Sequence, residues 1–131
     1  GDTDILAAAP MEMITAGLGD ILGKYTCLLD WKMAHIITGE YYCKTIADMV
    51  KEAVEIVVEE STRIKDRNPE AIKAVTEALV LSGIAMSFVG NSRPASGSEH
   101  HLSHYWEMRR QKTRLTWHQS WYWHDYCYKN V

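Results

Sequence analysis

From residue 11 to residue 37 the apolar positions recur every three or four residues, with Ile14, Leu18, Ile21 and Leu22 on the leading face. That spacing predicts a helix, because 3.6 residues per turn puts such positions on one side. Gly17, Gly19 and Gly23 interrupt the stripe, and each costs a helix about 1 kcal/mol relative to alanine. Two readings stay open: close approach of a ligand or another backbone, or breaks between short helices. "TGEYYCKT" reads as a connector. The next face, Ile46, Met49, Val50, Ala53, Val54 and Val57, predicts a second helix, with Lys51, Glu52, Glu55, Glu59 and Glu60 in solvent. Thr45 with Asp48 forms an imperfect capping box at its start.

"KDRNPEA" breaks the pattern, since Asn68 is a good N-cap and Pro69 suits a first helical turn. The following helix, from about Pro69 to Val89, carries "LVLSGIAMSFV". That segment is apolar on every side and predicts a buried central helix. Gly90 ends it, "GNSRPASGS" is a loop, and Ser98 can cap a last helix from about Glu99 to Arg110. No strand pattern precedes the tail, and no internal repeat is present. The expected fold class is all-α, a helical bundle.

A chain of 131 residues suits one domain with a real core. Its 47% apolar and 24% charged residues are ordinary for a soluble globular protein. A net charge of −3 leaves no basic footprint, so nucleic acid is not an expected partner. No apolar run approaches the roughly 20 residues that span a bilayer, and no signal peptide is visible, so no membrane role is expected. The opening "GDTDILAAAP" has no initiator Met, and a piece of a longer product is the expectation. Cys27, Cys43 and Cys127 are odd in number and widely spaced, which argues against a disulfide framework and a Cys-x-x-Cys zinc site. They are expected to be small buried hydrophobes in a reducing, cytoplasmic setting.

The candidate chemistry lies in "SGSEHHLSHYWEM", residues 96–108. His100 and His104 are four apart and share a helix face, whereas His101 points about 100° away. Such a pair suits a metal, or one ligand plus one acid–base or substrate contact. Ser96, Gly97 and Ser98 are expected to aim free N–H groups at whatever sits near the helix start. A surface helix with incidental histidines is the plain alternative. A complete metal site needs a third ligand, and by pattern alone Asp20, Glu12 and Glu99 all remain open.

"AAAPMEMITAGLGDILGKYTCLLDWKMAH" followed by "NSRPASGSEHHLSHYWEM" resembles the sn-glycerol-1-phosphate dehydrogenases, within the iron-containing alcohol dehydrogenase and dehydroquinate synthase-like superfamily. The resemblance covers about residues 2–108 and implies two domains in the family: a nucleotide-binding α/β domain, then an all-helical domain that carries the metal. This chain is similar to the helical half. By that resemblance Asp20 would be a metal ligand lying near the substrate, His100 a second ligand, and His104 a substrate contact. The glycines around Asp20 would then admit substrate and metal to the helix backbone. The implied reaction is reversible reduction of dihydroxyacetone phosphate to sn-glycerol 1-phosphate by NADH or NADPH. The implied metal is zinc or nickel, acting as a Lewis acid. NAD(P) would be bound mainly by the other domain, and the intact protein could be a homo-oligomer. Arg93 is a candidate partner for the substrate phosphate, or a structural closure of its loop. Glycerol or another polyol as substrate is the enzymatic alternative, and a helical interaction module the non-enzymatic one.

The family's remaining ligand is a histidine in an H-G-x-x-V-G-x-G segment, and this chain has none. It ends instead in "TWHQSWYWHDYCYKNV", with three of its five tryptophans within seven residues. Tryptophan has a single codon, TGG, and a shift by one base turns every TGG into a glycine codon. Trp117, Trp121 and Trp123 therefore shadow G-x-x-x-G-x-G. Synonymous codons permit R-P-A-L-H-G-I-K-V-G-I-G in that frame. The domain reading is thus an incomplete helical metal-binding domain over 1–110 and a frameshifted, non-native tail over 111–131. His118 and His124 need no role as replacement ligands, although a genuine aromatic tail that binds a partner is the alternative. With two protein ligands the ion would be held weakly, and the chain alone is expected to be inactive.

Overall fold

The computed structural model describes residues 2–109. The glycines do not break the first long helix, α2, which runs unbroken over Met11–Thr38 behind a short α1, Thr3–Ala7. Gly17 shows why one of them is there: a Cβ on it would come within 3.3 Å of Leu79 Cδ1, so its absence lets the next layer pack close. The short α1 carries no stripe long enough to read. Asp2 caps it, its Oδ1 accepting from the N–H of Asp4 at 3.0 Å and of Ile5 at 3.4 Å.

Helix α3, Lys44–Ile64, and helix α4, Pro69–Val89, follow. Thr45 and Asp48 do not form the expected box: Cys43 is the N-cap without a side-chain bond, and Asp48 accepts from Lys44 Nζ. An i,i+4 ion pair has displaced the cap. Asn68 does cap α4, accepting from Glu70 N and Ala71 N, with Pro69 at the first position. Residues 65–68 fold α4 back along α3. Arg67 adopts φ 53° there, and its guanidinium donates to the carbonyls of Ala7 and Ala9, tying this turn to the first residues.

The core is one cluster shared by α2, α3 and α4: Ile14, Leu18 and Ile21 meet Val50, Val54, Val57, Ile72 and Val75. The apolar second half of α4 is not wrapped on every side, contrary to expectation. Ala71, Ile72, Val75, Ala78, Ser82 and Ala85 form its inner stripe, while Val80, Ile84 and Phe88 are exposed. By length and composition alone α4 could cross a membrane, with a mean hydropathy of 1.6, contrary to the expectation that no apolar run approaches that length. It packs most extensively on α3. No strand occurs among the described residues, and the architecture is all-α.

Gly90 closes α4 in the left-handed conformation, φ 77°, its N–H donating to Met86 O. Helix α5, Ser98–Arg109, then packs on α2.

Candidate functional site

The loop between α4 and α5 is held to one face of α2 by a file of side chains three or four residues apart. Lys24, 3% exposed, donates from Nζ to Asp20 Oδ1 at 2.7 Å and to the carbonyl of Ala95 at 2.7 Å. One turn on, the Cys27 thiol lies 3.3 Å from Lys24 O and 3.5 Å from Pro94 O. At the end of the file Asp30 Oδ2 accepts the N–H of Ser98 at 2.7 Å. A carboxylate from α2 thus satisfies an N–H at the start of α5, where the helix dipole favours negative charge. Ser98, expected to cap this helix, opens it instead.

Glu99 is buried, and its Oε1 accepts the N–H of Gly97 at 2.8 Å. The same oxygen lies 2.7 Å from His100 Nδ1. The His100 and His104 rings stand 6.5 Å apart between centroids, on neighbouring turns. His100 is half-buried, whereas His101 and His104 are exposed. Burial, the Glu99 carboxylate and, more weakly, Asp20 and Asp30 push the Cys27 thiol far up, against the opposing effect of Lys24. Cys27 is therefore an inert buried hydrophobe, as expected. Asp20, Glu99 and Asp30 thus bring three carboxyl groups to this region beside one ammonium, that of Lys24.

Asp20 on α2 and His100 on α5 belong to helices in contact. Asp20 and the approach to α5 share Lys24 as a partner. Glu12 is exposed in the first turn of α2. The N–H groups of residues 96–98 are not free, as had been expected: Ser96 N donates to Ser92 O, Gly97 N to Glu99 and Ser98 N to Asp30. The loop uses its donors to fasten itself. Arg93 makes a two-pronged ion pair with Glu40, Nε–Oε1 2.7 Å and Nη2–Oε2 2.6 Å, which closes the loop over the α2–α3 connection. Lys24, Asp30 and Glu40 carry this architecture and were not singled out from sequence. The only early signal was that Lys24 and Asp30 share a helix face with Asp20 and Cys27.

A carboxylate and an imidazole suit zinc or nickel, and the local charge suits a cation. Among the described residues, however, no three His, Cys, Asp or Glu side chains stand close enough to enclose an ion. The donors fit in kind and fall short in number. His118, His124 and the frameshift reading of 111–131 lie outside the described residues.

No protein-family model matches the chain. Curated relatives do. The chain is 48% identical over 107 residues to a glycerol-1-phosphate dehydrogenase (NAD(P)+) of Halalkalibacterium halodurans, covering 82% of this chain and 27% of the relative. It is 44% identical over 119 residues to the protein of that name from Geobacillus thermodenitrificans, covering 89% and 30%. With that of Methanosarcina acetivorans it is 44% identical over 103 residues, covering 79% and 29%. The chain therefore spans less than a third of the length of the relatives it matches.

Proposed function

Over the matched residues this chain belongs to the glycerol-1-phosphate dehydrogenase family, and on that premise we propose that it is the helical, metal-binding part of an enzyme that interconverts dihydroxyacetone phosphate and sn-glycerol 1-phosphate with NADH or NADPH. The observation that carries the reading is Lys24. Its ammonium joins the carboxylate of Asp20 to Ala95, in the loop that leads into the histidine helix, and this supports the reading of an early carboxylate and a late imidazole on one side of the bundle. Asp20 and His100 would hold the ion, zinc or nickel, and His104, one turn along, would contact the substrate. When bound, such an ion polarises the C2 oxygen of the substrate as a Lewis acid.

The chain's own residues do the positioning. Lys24 occupies Asp20 Oδ1 and so fixes the rotamer of that carboxylate. The buried Cys27 and Pro94 keep water from the seam between α2 and the loop. Arg93, taken by Glu40, holds the loop shut and is not assigned to the substrate phosphate. Residues 1–110 are the incomplete helical domain of this reading, and 111–131 a frameshifted tail that lacks the last ligand. The chain alone then binds the ion weakly and turns nothing over.

Grafting tests this. Residues 2–108 are placed in the Geobacillus thermodenitrificans relative in place of its matching segment, and oxidation of glycerol 1-phosphate is compared with that of glycerol. The graft is expected to prefer the phosphate ester, and Asp20→Asn or His100→Ala within it to lower kcat/KM by at least about 100-fold, in line with loss of a several-kcal/mol charge-stabilising group. A graft that works equally well with Asp20→Asn sinks the assignment.

A further inference from the structure

An exposed apolar stripe on α2 and the basic, aromatic segment after α5 are left without a use by the dehydrogenase reading. Leu29, Met33, Ile36 and Ile37 stand on the last turns of α2, all exposed, and nothing among the described residues covers them. An apolar face of that kind marks a surface that binds something. Residues 110–131, outside the described residues, hold three of the chain's five tryptophans and three of its seven tyrosines. Each such ring brings a large apolar area with a polar tip, which suits a contact at the edge of water. Charge divides the chain at the same place. Residues 1–109 carry ten Lys and Arg against sixteen Asp and Glu, a net of −6, whereas residues 110–131 carry four against one, a net of +3. An acidic body is thus joined to a basic segment, and the two attract.

The reach is sufficient. Helix α5 packs on α2 and ends at Arg109. Helical spacing puts the stripe on the other side of α2 from Asp20, Lys24, Cys27 and Asp30, the file that holds the loop. The longest path from Arg109 therefore runs back along the 12 residues of α5, about 18 Å, and half-way around α2, about 17 Å. The 22 residues that follow Arg109 extend to about 70 Å. About half of that length is left to lie along a stripe about 12 Å long, and it is the half that begins at Trp121. We propose that residues 110–131 turn back in cis onto the α2 stripe, with Trp121 and Trp123 against Leu29, Met33, Ile36 and Ile37. Tethering selects this occupant over a second copy. A segment joined by so short a chain meets its target at an effective concentration of about millimolar, above that of another molecule in dilute solution. Aromatic area and opposite charge are enough for the contact, whether or not the segment is the family's own.

The test uses the full 131-residue chain with Cys43→Ala, so that a nitroxide spin label goes to Cys127, since Cys27 is buried. Amide signals of the 15N-labelled protein are compared with the nitroxide oxidised and reduced. Strong broadening is expected at residues 29–37 and little at residues 80–88. Ile36→Glu should relieve most of it and Ile84→Glu none. Broadening centred on residues 80–88 would put the segment on α4 and overturn the proposal, and so would broadening with no preferred face. Mixing spin-labelled chains free of 15N with 15N-labelled chains free of nitroxide separates cis from trans. The mixture is expected to show no broadening at residues 29–37. Broadening there as strong as in the doubly labelled chain would mean that a second copy supplies the segment, and the cis contact fails. If Cys43→Ala does not fold, the unmodified chain decides through nuclear Overhauser contacts between the indole protons of Trp121 and Trp123 and the methyl groups of Ile36 and Ile37. Such contacts are expected, and their absence overturns the proposal.

Discussion

Two glycines show how differently one residue type is used in this chain. A Cβ on Gly97 would meet Asp30 Oδ2 at 2.7 Å, Cys27 Cα at 2.8 Å and Glu99 Oε2 at 2.9 Å. The carboxylates could swing, but the Cα of Cys27 is helix backbone and cannot. Gly97→Ala should therefore push the loop off α2 and cost about 1–3 kcal/mol, as overpacking does. Urea unfolding reads the stability, and faster amide exchange at Ser98 reads the loss of its bond to Asp30. Gly83 is the control, since a Cβ there meets nothing within 4 Å in the middle of α4. Gly83→Ala should stabilise by about 0.5–1 kcal/mol through helix propensity alone. Equal effects from the two substitutions would contradict the close packing at Gly97. In the sequence Gly97 is one more loop glycine, and nothing near it announces α2. Lys24 was equally silent, because a lysine in a helix ordinarily points to solvent, and its carbonyl partner lies 71 residues away.

The elements separate what is local from what is not. Asn68, Pro69 and Gly90 act on residues within four positions of themselves, so the bounds of α4 could be read directly. The start of α5 could not be explained that way. Its cap comes from Asp30, 68 residues upstream, and its loop is clipped by Glu40, 53 residues upstream. His100 and His104 were visible as a pair because i,i+4 spacing is itself local. What binds them to α2 is long-range and had to come from coordinates. The Arg93–Glu40 clip has a pH signature. Its hydrogen bond to Arg93 holds the Glu40 carboxyl below its ordinary range, and raises Arg93 in return. A folded-state pKa below the unfolded one means that the clip contributes fully above the unfolded value. The contribution is lost as pH falls through the folded value. Protection of the amides of residues 91–96, taken relative to intrinsic exchange at each pH, should fall over that acid range. Glu40→Gln should show the lower protection already at neutral pH and lose its change with acid, whereas a protection profile unchanged in E40Q would mean that Arg93 does not govern the loop.

For the molecule as a whole, the decisive fact is the apolar surface that three packed helices leave uncovered. On α4, Val80, Ile84 and Phe88 follow one another at four-residue spacing, and Phe88 is 72% exposed. Leu29, Met33, Ile36 and Ile37 make a second such stripe on the last turns of α2. In the relatives, of which the matched segment is less than a third, there is further chain available for such stripes to pack on. Among the described residues they face water, and stripes of that kind drive association. The chain should therefore show concentration-dependent light scattering. Ile84→Glu with Phe88→Lys converts one stripe into an i,i+4 ion pair of favourable orientation. That variant should scatter less at equal concentration and unfold within about 0.5 kcal/mol of the parent, since substitutions at exposed sites seldom do more. The two measurements must move separately. A loss of several kcal/mol would mean that Ile84 and Phe88 are packed in solution, and scattering unaffected by the change would put the sticky surface on α2 instead, where Ile36→Glu examines it in the same way.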